Sequence, residues 1–102
     1  MAEISTIARP YAQAAFDVAK SSNALQGWAS FLNDAATVAA QHDVRELSGN
    51  PRVSAAQLLS VFESAVGLSD AAQHNFLSTL VDEGRVDALP AIATAFAAHK
   101  HA

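Results

Sequence analysis

Along most of the chain the apolar positions recur at intervals of three and four residues, the spacing that places side chains on one face of a helix. Over residues 24–41 the stripe Leu25, Trp28, Leu32, Ala35, Ala36 and Ala39 predicts a helix with Trp28 largely buried. Ahead of it, Ser5 or Thr6 can cap a first helix running to about Ser22. Pro10 is then tolerated by lying near its start, where few backbone donors are yet in use. Asp43 can cap a short helix over 44–47, which Gly49, Asn50 and Pro51 end. Ser54 with Gln57 three residues on is a capping-box signature for a fourth helix to about Val66, closed by Gly67. Ser69 is the expected cap of a fifth helix ending at Gly84, and Asp87 of a sixth with Pro90 at its third position. The pattern predicts an all-α fold, a compact six-helix bundle with one very short helix, as a single domain over 1–102.

Composition sharpens this reading. Of the 102 residues, 24 are alanine and 28 are larger apolar residues, so the core is thin and its helices must approach closely. Alanine favours helix over strand, while Gly (four) and Pro (three) are scarce. A chain this long buries roughly two-thirds of its extended surface, enough for one core. The absence of cysteine excludes disulfide scaffolds and thiolate metal sites. No window approaches the ~20 apolar residues of a membrane span, and the first twenty residues lack a signal-like run, so a soluble cytosolic chain is expected. A net charge of -4 with six scattered basic residues argues against a phosphate-binding face, and nucleic acid is not an expected partner.

Catalytic chemistry finds little support. His42, His74, His99 and His101 make no HExxH pair, and they read as surface or cap residues, so no metal or cofactor is expected. Asp82, Glu83 and Asp87 read as a solvated cap cluster. The stretch Gly67-Leu68-Ser69-Asp70-Ala71 lacks the second glycine of a nucleophile elbow, and the glycines at 27, 49, 67 and 84 are too isolated to cradle phosphate.

The informative feature is the width of two apolar faces. On the first helix Arg9, Gln13, Asp17 and Lys20 share one arc, leaving roughly 200° apolar where a surface helix needs little over about 100°. One side of that arc is core-like: Ala8, Ala12, Ala15, Phe16 and Ala19. The other carries Ile4, Ile7, Tyr11, Ala14 and Val18. On the fifth helix Phe76, Leu77, Leu80 and Val81 suit a core, while Ala72, Thr79 and Glu83 extend the flank. Two readings fit. Either both helices are central and bury everything, or Ala14 and Thr79 let the two helices approach and floor a groove, walled by Tyr11, for a partner's amphipathic helix.

Three stretches carry a resemblance: Ala8-Arg9-Pro10-Tyr11-Ala12-Gln13-Ala14-Ala15-Phe16-Asp17-Val18-Ala19; Asn50-Pro51 followed by Ser54, Gln57-Leu58 and Val61-Phe62; and LVDEGRVDALPAIATAF from Leu80 to Phe96. In order and spacing they resemble the N-terminal domain of the F-type ATP synthase delta subunit, the oligomycin-sensitivity-conferring protein family. The resemblance implies a six-helix bundle whose first and fifth helices bind the N-terminal helix of an ATP synthase alpha subunit. The candidate partner-binding set is then Ile4, Ile7, Tyr11, Ala14, Ala15, Val18, Ala72, Phe76, Thr79 and Glu83. Family members often carry an aliphatic residue in place of Thr79 and Asn in place of Glu83. The implied role is non-catalytic, as a stator component that holds the catalytic head against rotor torque.

The resemblance also implies a C-terminal segment, beyond Ala102, that joins the stalk b subunits, so an isolated and monomeric N-terminal domain is expected. Met1 without an Arg-rich transit segment points to a bacterial protein at the cytoplasmic face of the inner membrane, peripheral to the bilayer. The rival readings are an unrelated helical adaptor binding another amphipathic helix and a small helical enzyme or metal-binding subdomain.

Overall fold

The computed structural model describes residues 4–67 and 70–101, the side chains of 100 and 101 excepted. Six α-helices follow one another: α1 (Ile4–Ser21), α2 (Leu25–Ala40), α3 (His42–Ser48), α4 (Ala55–Val66), α5 (Ala71–Asp82) and α6 (Leu89–His101), with a 3-10 turn at Val86–Ala88 before the last. No strand occurs among the described residues. The very short helix is α3.

Several boundaries differ from expectation. α1 is helical from Ile4 among the described residues, so Ser5 and Thr6 lie inside it. Pro10 is its seventh residue, in the second turn, where its missing N–H leaves the Thr6 carbonyl without the usual partner. Packing holds the helix through that loss: Ala8, Ala12, Ala15 and Ala19, spaced at four, three and four residues, are all fully buried. α3 begins after Gln41, with Asp43 in its first turn and no side-chain cap.

The expected cap Ser69 lies outside the described residues. Asp70 caps α5 instead, its carboxylate accepting from the N–H groups of Ala72 (2.7 Å) and Gln73 (3.4 Å). A carboxylate there satisfies orphan donors and also meets the positive end of the helix dipole. Asp70→Ala is expected to cost about 1 kcal/mol in urea denaturation. Asp87 caps nothing. It sits within the 3-10 turn because Val86, Ala88 and Leu89 around it are buried, and Pro90 becomes the second residue of α6.

The Ser54 capping box is present in both directions, at 3.1 Å (Gln57 N–H to Ser54 Oγ) and 2.9 Å (Ser54 N–H to Gln57 Oε1). Gly67 ends α4 with φ of 69°.

Two further ends use paired backbone bonds around a left-handed residue. Ala24 N–H donates to Ala19 O and Asn23 N–H to Lys20 O around Asn23 (φ 55°), closing α1. Arg85 N–H donates to Leu80 O and Gly84 N–H to Val81 O around Gly84 (φ 68°), closing α5.

The core sits where α2 and α6 meet. α1 packs chiefly on α6 and then on α2, whereas α5 packs on α4, which in turn packs on α2. Trp28, Phe62, Phe96, Leu32, Leu77, Leu80, Leu89 and Ile92 are the largest fully buried side chains, and no polar or charged residue is buried among the described residues. The alanine face of α1 lets its backbone come close to α6, since interaxial distance follows side-chain size. Phe16 reaches past that face to meet Phe96 edge-on, with ring centroids 5.8 Å apart.

Candidate partner-binding groove

α1 and α5 are not among the helix pairs that pack closely on each other. Between them runs an apolar groove of about 660 Å³. One wall is Pro10, Tyr11, Ala14 and Val18 of α1. The opposite wall is Ala72, Asn75, Phe76 and Thr79 of α5, continued by its C-cap residue Glu83. Both sets repeat at three and four residues, so each wall is one stripe of a helix surface.

The floor comes from α2. Trp28 is only 1% exposed, yet its indole reaches the groove, packed edge-on against Phe31 (5.5 Å) and Phe76 (5.6 Å). Edge-to-face packing of this kind adds to simple burial because ring edges are electropositive and faces electronegative. These two aromatics, rather than a close approach of Ala14 and Thr79, separate the walls and form the base. The Thr79 hydroxyl donates to Asn75 O at 3.0 Å, so its donor is engaged within α5.

At one end of the groove Tyr11 Oη donates to Glu83 Oε1 at 3.0 Å. Desolvation raises the Tyr11 pKa above its ordinary value, and Glu83 raises it further by hydrogen bond and charge, against a lowering by nearby Arg85. The phenol is therefore protonated at neutral pH and acts as donor. Glu83 is the one residue of the lining that carries a formal charge at that pH.

Of the ten candidate residues, Tyr11, Ala14, Val18, Ala72, Phe76, Thr79 and Glu83 line this groove. Ile4 and Ile7 do not line it. They continue the Tyr11 stripe toward the start of α1, Ile4 being 43% exposed and Ile7 half-buried. Ala15 does not belong to the surface at all, because it is fully buried with the other alanines facing α6. Pro10, Trp28 and Asn75 were not expected in the lining. Asn75 lies on the arc of Ala72 and Thr79 and could have been found by spacing. Pro10 was read only as a helix breaker and Trp28 only as core.

The histidines lie elsewhere: His42 pairs with Glu46, His74 joins α5 to Glu63 of α4, and His99 rests against the Phe16 ring. The side chain of His101 lies outside the described residues. Among the described residues no group of three or more His, Asp or Glu side chains is placed to hold a metal ion. No described helix is long and apolar enough to cross a membrane. The expected solvated cluster of Asp82, Glu83 and Asp87 is not one unit, since Glu83 turns to Tyr11 across the groove.

The sequence model of the ATP synthase delta (OSCP) subunit family matches residues 7–102. The chain belongs to that family. Relatives agree: the ATP synthase subunit delta of Herminiimonas arsenicoxydans is 46% identical over 103 residues, covering 100% of this chain and 58% of the relative. That of Janthinobacterium sp. (strain Marseille) is 47% identical over 103 residues, with the same two shares. That of Methylobacillus flagellatus is 47% identical over 102 residues, covering 98% of this chain and 57% of the relative. This delta-family chain thus spans a little over half the length of these curated relatives, and the resemblance carried by its ARPYA and LVDEGR segments is that of the family itself.

Proposed function

We propose that the groove between α1 and α5 receives the N-terminal helix of an ATP synthase alpha subunit, and that the chain serves as a non-catalytic stator component holding the catalytic head against rotor torque. The supporting observation is an open, nearly uncharged groove walled by two helical stripes and floored by Trp28 and Phe76. From Ala72 to Glu83 the α5 wall measures about 17 Å at 1.5 Å per residue, which accommodates about three turns of an amphipathic helix. The occupant's apolar face would cover Val18, one of the two large hydrophobic side chains that stand exposed among the described residues. In the assembled enzyme this domain would sit at the cytoplasmic face of a bacterial inner membrane, with the stalk b subunits engaged through a further C-terminal segment of the subunit.

Calorimetric titration with a synthetic alpha-subunit N-terminal peptide tests the reading. The 102-residue chain is expected to bind it as a monomer and not to bind the soluble region of the b subunit. Trp28, the single tryptophan, provides a second signal, because an occupant seated on the floor changes the surroundings of its indole. Apolar burial should dominate, so affinity is expected to change little between low and high salt. A decrease of orders of magnitude with salt would move the contact to a charged surface. Failure to bind the alpha peptide while binding another amphipathic helix would make the domain an adaptor of a different kind.

A further inference from the structure

The two walls of the groove are held chiefly by different neighbours, α1 by α6 and α2, α5 by α4. Phe76 of α5 also packs on Trp28 and Phe31 of α2, and both helices touch the 3-10 turn. Tyr11 Oη and Glu83 Oε1, 72 residues apart in the chain, reach across the space between these walls and meet at 3.0 Å.

Both partners start from well-fixed backbone. Glu83 is the C-cap of α5, where the paired bonds around Gly84 lock the helix end. Tyr11 stands one turn before Ala15, which is anchored in the core with no exposure. Resting on the groove reading above, we propose that the Tyr11–Glu83 hydrogen bond is a clasp that holds α1 and the end of α5 together at the groove mouth, over the base that Trp28 and Phe76 form. Glu83 is accordingly a positioning residue that prepares the groove for its occupant.

The physical case is one of pre-organisation. Walls that drift apart in the free protein must be brought to one spacing on binding, and that ordering subtracts from affinity. A hydrogen bond to a carboxylate is stronger than one between neutral groups, so even at the surface it biases the spacing. The phenol must keep its proton for the clasp to exist. Desolvation favours the protonated form and so does Glu83, while Arg85, the other charged group near the hydroxyl, opposes them. Loss of that proton would place two anions against each other across the groove mouth.

The chain contains one tyrosine, so tyrosinate absorbance reports this hydroxyl alone. In the free 102-residue chain the parent tyrosine is expected to titrate above its ordinary range and Glu83→Ala to return it toward that range. Glu83→Ala and Tyr11→Phe should each weaken binding of the alpha N-terminal peptide about three- to tenfold, the range of one hydrogen bond. The double variant should be no weaker than either single one, because each removes the same clasp. Glu83→Gln, which keeps an acceptor oxygen, should restore most of the affinity lost in Glu83→Ala.

Additive losses in the double variant would overturn the clasp and make the two side chains independent contacts. An unaltered tyrosine titration in Glu83→Ala would overturn it as well. A parent chain that binds no peptide would overturn the groove reading and this inference with it. Normal binding by both the parent and Glu83→Ala would overturn this inference alone.

Discussion

Ala14→Trp is expected to weaken peptide binding at least about a hundredfold, which is about 2.8 kcal/mol, with little change in melting temperature. Ala35→Trp is expected to do the reverse and unfold the domain. The two alanines are chemically identical and differ in place. Ala14 is exposed on the groove wall, so in the free protein an indole there can lie in open space. That indole fills volume the occupant helix needs. Ala35 is fully buried on α2, where a larger side chain forces its neighbours out of their rotamers at about 1–3 kcal/mol or more. A thermal melt of each variant beside its peptide titration decides the matter. If Ala14→Trp melts as low as Ala35→Trp, position 14 is core and the groove is not a binding surface.

Trp28→Ala should have the other large effect, and on both quantities. Removing a buried tryptophan costs about 3–5 kcal/mol, a large part of the 5–15 kcal/mol that holds a typical domain together. At about 4–8 °C per kcal/mol, the melting temperature should fall by at least about 12 °C. Phe96→Ala is the matched control, since Phe96 is equally buried at 1% exposure but lies outside the groove lining. Measured below both melting transitions, Phe96→Ala should bind peptide like the parent chain, and Trp28→Ala should not, having lost the floor. Equal affinities in the two variants would show that the occupant does not rest on Trp28.

Periodicity and capping chemistry made the helices legible but not all of their ends. The Ser54–Gln57 box and Gly67 could be read because each is a single strong signal without a nearby competitor. Ser69 and Asp70 are adjacent good caps, and spacing cannot choose between them. Asp87 had the right chemistry but stands between buried Val86 and Ala88, so tertiary burial overrode the local signal. Pro10 misled for a similar reason. Its local cost is compensated by the four alanines against α6, an interface between residues far apart in sequence.

The candidate site was legible as two stripes, because stripe membership is a matter of angle around each helix. What lay between the stripes was not. Trp28 comes from a third helix, and only the packing of Phe31 and Phe76 about it shows that one face of a core residue floors the groove. Ala15 reads as core-like by its place on the arc and enters the partner-binding set only with the family resemblance; its full burial agrees with the arc.

The alliance of α1 with α6 has a consequence for synthesis. α1 finds its main docking surface in α6, and residues 22–88 must be made between the two. At about 5–20 residues per second the nascent chain spends several seconds with α1 lacking its main partner and only α2 to pack on. Contacts so distant in sequence also slow folding relative to other helical bundles, because a long loop must close before they form. The binding wall is thus one of the last parts of the domain to become fixed. A chain arrested before α6 would present Tyr11 and Val18 on a loose helix, with no groove for a partner to enter.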